Sequence, residues 1–320
     1  MIPASGIIIS PATTRIGWVG VGIMGCSMVT HLLNAGYQCT VYNRTPSKCL
    51  PVQAKGAVVA SSPHAVAAAS DVVFVIVGFP SDVRNVVLGT EGILKGLKAG
   101  GVLVDCTTST PSLAQEIYTT GQAQGVSTVD APVSGGDVGA RNAALSFMVG
   151  GDKQVVDGLH PLWTLMGKNM RYMGGPGKGQ HTKMVNQILI ANTMMGVCEG
   201  LMYAEKAGLD LTETINAVGA GAAGSFSINN LGPRMVARDF APGFYVEHFL
   251  KDLGIALDEA RRMDLAVPGM AAAYQMYVAL KAQGGGRLGT QALLLALERL
   301  NGKEGVERLN GKEGEAGKGK

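Results

Sequence analysis

The stretch GKGQHTKMVNQ, residues 177–187, places a lysine and a polar pair directly before a long apolar run. Lys183 has the chemistry to exchange a proton with a substrate oxygen, as general acid in one direction and general base in the other. Asn186 follows three residues later, so on a helix the two side chains share a face. The alternative is a solvated lysine at a helix start, but a cation there opposes the helix dipole. This local conflict makes Lys183 a candidate for a functional residue, with Asn186 as its polar companion.

A second motif, GVGIMG at residues 20–25, matches the pattern G-x-G-x-x-G. It follows a β-rich run and opens a helical pattern, which is the context of a dinucleotide-binding turn. Its glycines would allow a tight turn, approach of a pyrophosphate to the backbone, and close packing of helix on strand. The helix N-terminus would offer N–H groups to the phosphates. The predicted cofactor-binding residues are Gly20, Gly22, Ile23, Met24 and Gly25.

The end of the second predicted strand reads YNRT, residues 42–45. A carboxylate at this point would bind the ribose 2′-hydroxyl of NAD(H) and repel a 2′-phosphate. Asn43 is neutral and Arg44 can pair with a phosphate. We therefore expect Asn43, Arg44 and Thr45 to bind the cofactor, with NADP(H) preferred and NAD(H) possible. The alternative is that Arg44 is a solvated loop residue.

Residues 15–150 alternate short β-rich runs with helical patterns. Apolar strands separated by helices predict an α/β fold whose mainly parallel sheet is covered on both faces. After about residue 175 the pattern is helical with almost no strand signal. The segment 182–207 is apolar nearly all round, so we expect a buried helix, between two domains or two subunits. The expected domains are 12–176 and an all-helical 177–302.

Composition sets further limits. A net charge of +3 is too small to indicate a nucleic-acid partner. The five cysteines are scattered and form no C-x-x-C pair, so we expect a reducing compartment and no metal site. No apolar run has the length and purity of a membrane span, and the N-terminus lacks the positive region of a secretory signal. These features predict an intracellular protein of the cytoplasm or the mitochondrial matrix.

The end of the chain carries a repeat, RLNGKEG, at 299–305 and 308–314. The first copy closes an apolar helix, and Gly302 is its expected stop. The second copy has no apolar stretch before it. We therefore expect residues 303–320 to be a disordered tail, with no function assigned.

Seven ordered motifs together resemble the β-hydroxyacid dehydrogenases, in particular the 3-hydroxyisobutyrate dehydrogenase-like branch. They cover most of the chain between residues 15 and 301. The motifs are GWVGVGIMGCSM (17–28), VYNRT (41–45), VFVIVGFPSDV (73–83), VDCTTSTPSLA (104–114), DAPVSGGDVGA (130–140), GKGQHTKMVNQ (177–187) and FLKDLGIALDEA (249–260). The resemblance implies a Rossmann domain followed by an all-α domain, joined through a long central helix.

The resemblance also implies roles for individual residues. Thr108 looks like the residue at the nicotinamide end of the cofactor, and Phe79 and Pro80 lie on a loop that flanks the ring. Lys251 resembles a lysine near the cofactor, followed by Asp252. The family pattern assigns the substrate carboxylate to Ser134, Gly135 and Gly136, and it assigns catalysis to Lys183 with Asn186.

One departure concerns the substrate loop. Relatives read G-A-x-x-G-T-L after the SGG turn, whereas this chain reads GARNAAL at 139–145, with Ala143 and Ala144 in place of Gly-Thr. A hydroxyl and a flexible glycine are lost beside the expected cleft. This departure puts the identity of the substrate in question more than the reaction type.

The implied activity is NAD(P)-dependent oxidation of a small 3-hydroxy acid, or reduction of the matching semialdehyde. 3-Hydroxyisobutyrate is the first candidate for this carboxylate-bearing substrate. Reduction of glyoxylate, succinic semialdehyde or tartronate semialdehyde is an alternative, as is imine reduction on the same scaffold. An alternative of another class is a non-catalytic NADP-binding module. The apolar 182–207 helix and the apolar run QALLLALERL further predict a homo-oligomer.

Overall fold

The computed structural model describes residues 9–303, which form two compact units, one ending at Val185 and one beginning at Asn186. A single long helix runs through this division. The domain limits expected at 176 and 177 stay a prediction.

The first unit is built around one sheet. Its strands are β1 (Arg15–Val19), β2 (Gln38–Tyr42), β3 (Val58–Val59), β4 (Val72–Val75), β5 (Val102–Asp105), β6 (Ser127–Asp130), β7 (Val133–Ser134), β8 (Leu145–Gly151) and β9 (Gly167–Gly174). Strands β1 to β6 pair in parallel in the order β3-β2-β1-β4-β5-β6. Strand β8 runs antiparallel to β6 and β7, and β9 pairs in parallel with β8. The carboxyl ends of six parallel strands therefore share one edge, where α/β proteins bind their ligands.

Helices connect these strands. They are α1 (Ile23–Asn34), α2 (Leu50–Gln53), α3 (Pro63–Ala68), α4 (Pro80–Leu88), α5 (Ile93–Gly96), α6 (Pro111–Ala123), α7 (Gly136–Arg141), α8 (Lys153–Gly158) and α9 (His160–Met166), with a 3-10 helix at Pro46–Cys49. Strands β4 and β5 are buried along their whole length, as expected for a sheet covered on both faces. The mainly parallel α/β architecture predicted from the sequence is confirmed.

Aromatic side chains fill one of the two apolar layers. Trp18 of β1 stacks on Phe74 of β4 with ring centroids 5.3 Å apart, and Trp163 of α9 meets Phe74 edge-on at 6.1 Å. All three side chains are buried. Aromatic pairs in these geometries add to the stability that burial alone provides. The layer fixes β1 and β4, whose carboxyl ends carry two of the predicted cofactor loops.

Strand β9 was missed by the sequence analysis, which ended the strand series at β8. Its sequence, GKNMRYMG, is mostly exposed and shows no alternation of apolar and polar residues. Hydrophobic periodicity is the main signal of a strand in a sequence, and β9 lacks it. Its pairing with β8 supplies the order that its side chains do not indicate.

The long helix is α10 (Lys178–Lys206). The helices that follow it are α11 (Leu211–Gly219), α12 (Gly232–Val236), α13 (Val246–Arg262), α14 (Pro268–Ala282) and α15 (Leu293–Leu300), with a π-helix at Ser227–Leu231 and 3-10 helices at Gly285–Arg287 and Thr290–Ala292. Between Gly174 and residue 303 the only β-type pairing is an isolated bridge between Tyr245 and Gly289. The prediction of a helical second half is confirmed.

The sequence predicts that 182–207 is a buried helix between two domains or two subunits, and burial against a second subunit stays a prediction. Helix α10 begins four residues earlier, at Lys178, and it is buried on one side only. Val185, Leu189 and Tyr203 are exposed, Leu189 by 64%. Apolar residues around the whole helix therefore do not report burial within a single chain.

The last helix behaves differently from its sequence-based interpretation. Its apolar residues from Leu293 to Leu297 are buried within the chain, whereas Leu300 at its end is 74% exposed. Gly302 follows with a positive φ of 70°, which confirms it as the stop of the helix. The second copy of the repeat, at 308–314, lies outside the described residues. Within the described part of the chain, no helix is long and apolar enough to cross a membrane.

Candidate active site

The glycine turn lies between β1 and α1. Gly20 has a φ of 102°, and a Cβ there would lie 2.0 Å from the carbonyl oxygen of Ile76, so no other residue fits. A Cβ at Gly25 would lie 2.1 Å from the carbonyl oxygen of Gly20. A Cβ at Gly22, the N-cap of α1, would meet nothing within 4 Å, and no side chain caps this helix end. Of these three glycines, Gly22 alone faces open space.

The loop after β2 is tied to this turn. Asn43 accepts a hydrogen bond from the Val21 backbone N–H at 3.0 Å and donates to the carbonyl of Thr45 at 2.9 Å. Arg44 is 85% exposed, and its guanidinium lies 3.2 Å from the Asp82 carboxylate. Asn43 therefore has a structural task in addition to its predicted role. Arg44 extends into solvent and its exposed ion pair is weak.

Two further loops leave the same edge of the sheet. Phe79 is the half-exposed N-cap of α4, and Pro80 is the first residue of that helix. Thr108 follows β5 and is half-buried. Beside it, Thr107 accepts a hydrogen bond from the Val77 N–H at 3.0 Å, which joins the loops after β4 and β5. Because β1, β4 and β5 are parallel neighbours, these predicted cofactor residues lie at the carboxyl edge with the glycine turn.

The SGG turn connects β7 to α7. Gly135 and Gly136 both have positive φ values, 125° and 62°, and Ser134 is half-buried. Helix α7 ends at Arg141, and Ala143 follows with a φ of 49°. This is a left-handed conformation that favours glycine at the end of a helix. The departure noted in the sequence thus leaves an alanine in a backbone conformation suited to glycine.

The start of α10 is anchored to the sheet by Asp130, at the end of β6. One carboxylate oxygen accepts from the Gly177 N–H and the other from the Gln180 N–H, each at 2.8 Å. Burial raises the pKa of Asp130 to about 6, while these backbone hydrogen bonds act in the opposite direction. Asp105 accepts from the Thr107 N–H at 2.9 Å. Both carboxylates therefore cap backbone turns.

Lys183 lies about one turn beyond this anchor on α10. Its exposed fraction is 7%, so it does not extend into bulk water as a surface lysine would. Gly179, in the turn before it, packs so closely that a Cβ would lie 2.4 Å from the Met148 carbonyl oxygen. The helix carrying Lys183 is therefore held against the end of the sheet that also carries Thr108 and the glycine turn.

A chain of polar side chains begins at Asn186 in the second unit. Asn186 donates through Nδ2 to Gln187 Oε1 at 2.7 Å, and Gln187 donates through Nε2 to Asp252 Oδ2 at 2.6 Å. The other oxygen of Asp252 lies 2.9 Å from the Nζ atom of Lys251. Asp252 is 1% exposed and the Lys251 side chain 12%. Asn186 and Lys251, both predicted from the sequence, are brought into one buried network.

This network fixes the orientation of both amides. A carboxylate only accepts hydrogen bonds, so Gln187 must turn its NH₂ group toward Asp252. Its carbonyl oxygen then faces Asn186, which must present its own NH₂ group in return. The carbonyl oxygen of Asn186 can then accept a hydrogen bond from a neighbouring donor. Through Gln187, the Asp252 carboxylate thus fixes the orientation in which the Asn186 carbonyl oxygen is available as a hydrogen-bond acceptor.

No catalytic role is predicted for His248 or for the five cysteines. His248, on α13, packs edge-on against Tyr245 with centroids 5.6 Å apart. Burial and the nearby Lys251 ammonium lower the pKa of His248. Among residues 9–303, no group of three or more His, Cys, Asp or Glu side chains could hold a metal ion. All five cysteines are unpaired, and four of them are buried.

Comparisons with known proteins cover the whole described fold. Residues 15–174 match the family described as the NAD-binding domain of 6-phosphogluconate dehydrogenase. Residues 177–297 match the NAD-binding domain of NADP-dependent 3-hydroxyisobutyrate dehydrogenase. The chain is 58% identical over 298 residues to probable 3-hydroxyisobutyrate dehydrogenase-like 1, mitochondrial, of Arabidopsis thaliana, covering 93% of this chain and 89% of that protein. The chain belongs to the 3-hydroxyisobutyrate dehydrogenase-like family.

More distant relatives agree with this membership. The chain is 37% identical to the 2-hydroxy-3-oxopropionate reductase of Escherichia coli, covering 89% of this chain and 97% of the reductase. The structure of Mycobacterium tuberculosis 3-hydroxyisobutyrate dehydrogenase with L-serine aligns with a TM-score of 0.82 at 27% identity. That alignment covers 89% of this chain and 99% of the other. The protein is an NAD(P)-dependent oxidoreductase of this family.

The residues present fit a nicotinamide dinucleotide. The open space at Gly22 and the uncapped start of α1 give a pyrophosphate room and hydrogen-bond donors. The exposed guanidinium of Arg44 lies on the loop expected to meet the adenine ribose. Each of these features would be unexplained in an empty α/β domain.

Sequence reasoning assigned no role to Gln180, and it considered Gln187 only as a neighbour that could assist Lys183. Each is buried and each links two elements. Both lie on α10 within four residues of Lys183. A signal was available, because a glutamine buried on a helix must find hydrogen-bond partners. The partners themselves are distant in the sequence and could not be named.

Proposed function

We propose that this dehydrogenase interconverts a small 3-hydroxy acid and its semialdehyde, with 3-hydroxyisobutyrate and methylmalonate semialdehyde as the first candidates. The names of the Arabidopsis thaliana and Mycobacterium tuberculosis relatives support this substrate class. The observation that carries the proposal is the buried Lys183, on a helix bonded to the sheet edge that holds the glycine turn.

In this proposal, Lys183 gives a proton to the carbonyl oxygen during reduction and removes it from the hydroxyl during oxidation. The bound nicotinamide supplies or accepts the hydride. Asn186, oriented as an acceptor through Gln187, would hold the ammonium or the substrate hydroxyl in line. Burial excludes water and makes each of these interactions stronger than it would be in solvent.

The substrate carboxylate would bind at Ser134, Gly135 and Gly136. Successive backbone N–H groups in a turn with positive φ values form a concave site for an anion. Such a site adds no side-chain bulk, which suits a small acid. The serine hydroxyl would supply a further donor.

A reductive function is the second candidate. The Escherichia coli relative is named for reduction of 2-hydroxy-3-oxopropionate, which is a small aldehyde acid. Glyoxylate and succinic semialdehyde have the same two groups, a carboxylate and a reducible carbonyl. The same lysine and the same turn would serve these substrates.

NADP(H) is the proposed cofactor, with NAD(H) also accepted. The neutral Asn43 and the exposed Arg44 support the preference, because no carboxylate stands at the end of β2 to repel a 2′-phosphate. Affinities of wild type and of Arg44→Ala for both cofactors test it. The variant should lose affinity for NADP(H) by about tenfold or more, with little change for NAD(H). An unchanged preference would remove the argument.

We further propose a homo-oligomer in a reducing compartment, the cytoplasm or the mitochondrial matrix. Val185, Leu189 and Tyr203 are large apolar residues exposed on α10, which supports association. Five unpaired cysteines support the compartment. Light scattering across a dilution series tests the assembly, and a monomer at every concentration would contradict it.

A steady-state screen tests the activity. Small hydroxy acids and aldehydes are measured against NADP(H) and NAD(H), with wild type and Lys183→Ala side by side. We expect turnover of at least one short 3-hydroxy acid or semialdehyde, and a fall in kcat of roughly 10²- to 10⁴-fold in the variant. Equal turnover by both proteins would refute the role of Lys183.

A further inference from the structure

Gln180 joins two parts of the site through its side chain. Its exposed fraction is 0%. The Oε1 atom accepts from the Ser109 N–H at 2.9 Å, and Nε2 donates to the Thr107 carbonyl at 2.7 Å. The two bonds lie on either side of Thr108, so one amide group brackets the residue expected at the nicotinamide end of the cofactor.

Gln180 is itself held in place from the sheet. Its backbone N–H donates to Asp130, whose other oxygen accepts from Gly177. A Cβ at Gly179 would lie 2.6 Å from the Asp130 carbonyl oxygen, which leaves the first turn of α10 no room to slide. The side chain of Gln180 therefore projects from a fixed point.

The loop on the other side of these bonds is held through its backbone. The Ser109 hydroxyl is buried but has no hydrogen-bond partner among residues 9–303. The loop is fixed by Thr107, whose hydroxyl accepts from the Val77 N–H in the loop after β4 and whose own N–H donates to Asp105 at the end of β5. Gln180 then links this loop to α10 through its hydrogen bonds to Ser109 and Thr107.

We propose that Gln180 is a positioning residue for hydride transfer. It sets the distance between the loop carrying Thr108 and the helix carrying Lys183, which lies three residues farther on the same face of α10. This inference rests on the proposed function, in which these two residues meet the cofactor and the substrate oxygen. A displacement of about 1 Å between such groups lowers the rate by roughly 10²-fold. Gln180 contacts neither reactant and acts through geometry alone.

The test variant is Gln180→Met, which keeps the size of the side chain and removes both hydrogen bonds. The matched control is Gln291→Met. Gln291 is also buried, and it donates to two backbone carbonyls, of Asp239 and Ala241, each at 3.1 Å. Both variants are compared with wild type by thermal unfolding, by cofactor titration and by steady-state kinetics with the best substrate of the screen.

We expect kcat of Gln180→Met to fall by roughly 10- to 100-fold, with the affinity for the cofactor changed less than about threefold. A deuterium isotope effect on kcat, measured with substrate or cofactor labelled at the transferred hydrogen, should increase because hydride transfer becomes rate-limiting. Gln291→Met should show a similar loss of stability with kcat and isotope effect unchanged. A merely structural role would lower the stability of both variants alike and leave the isotope effect as in wild type.

The inference is overturned if Gln180→Met keeps wild-type kcat, or if its kcat falls only in proportion to its cofactor affinity. If this variant does not fold, Gln180→Glu replaces it. Glutamate keeps the acceptor for Ser109 but sets an oxygen against the Thr107 carbonyl. Its kcat should also fall at least tenfold, and wild-type kcat would overturn the inference. An inactive Lys183→Ala beside a fully active Gln180 variant refutes this inference alone, whereas an active Lys183→Ala refutes the proposed function.

Discussion

The three glycines of GVGIMG should respond to alanine in different ways, because their surroundings differ. An added Cβ would lie 2.1 Å from a carbonyl oxygen at Gly25 but would meet nothing within 4 Å at Gly22. Gly25→Ala should therefore damage the folded protein itself. Gly22→Ala should leave the fold intact and obstruct the cofactor. The two variants lie three residues apart and serve as controls for each other.

The structure sets the magnitudes. At Gly25 the helix must move by about 1 Å, and overpacking of this kind costs about 1–3 kcal/mol. The same Cβ would lie 3.0 Å from Trp18 Nε1, which donates to the Gly20 carbonyl at 3.1 Å, so that buried hydrogen bond is disturbed as well. At the N-cap position of Gly22, alanine costs about 1 kcal/mol at most. At 2–4 °C per kcal/mol, the expected losses of Tm are about 2–12 °C for Gly25→Ala and under about 4 °C for Gly22→Ala.

Two assays separate these effects. Thermal unfolding is measured without cofactor, and NADP(H) affinity is measured by fluorescence titration below the Tm of each variant. We expect Gly22→Ala to lose more than about tenfold in affinity, since a methyl group would occupy the space open to the pyrophosphate. Wild-type affinity in Gly22→Ala, or a wild-type Tm in Gly25→Ala, would refute the roles assigned to these two glycines.

Three further changes have predictable effects, each measured by urea unfolding. Ala143→Gly should raise the free energy of unfolding by about 1 kcal/mol, because it relieves a left-handed alanine; a loss of stability would contradict the strain. Burial raises the pKa of Asp130 from 3.8 to about 6, so the folded protein holds an extra proton between these values and loses roughly 3 kcal/mol as the pH rises from about 4 to about 6. Asp130→Asn should remove this pH dependence, and an unchanged profile would contradict it. Asp252→Asn should cost about 3 kcal/mol, because the largely buried Lys251 loses its anion, whereas Asp82→Asn at an exposed pair should cost under about 1 kcal/mol; equal losses would contradict the argument.

The features that could be predicted from the sequence depend on local pattern. Strands such as β4 are short apolar runs, and the fingerprint at Gly20–Gly25 combines residue type with a strand before it and a helix after it. These signals need only neighbours in the sequence. They were sufficient for the fold class and for the position of the glycine turn.

The features that were missed depend on contacts between distant residues. Strand β9 is ordered by its pairing with β8 and not by its own side chains. The partners of Gln180 lie 71 and 73 residues away, at Ser109 and Thr107. The sequence also could not predict which side of α10 is exposed, because apolar residues all around a helix do not indicate which side packs against a neighbour. Sequence patterns identify what a residue can do, and the fold decides with which partner it does so.

The hydrogen-bonded chain from Asn186 to Lys251 has a consequence for the divergence of related enzymes. The donor or acceptor role of each side chain fixes the role of the next. Exchanging an amide for an acid, or an acid for an amide, therefore changes whether the side chain at the other end donates or accepts a hydrogen bond. Replacements that preserve size at Gln187 or Asp252 are therefore not neutral swaps. We expect these positions to covary among related enzymes or to be conserved.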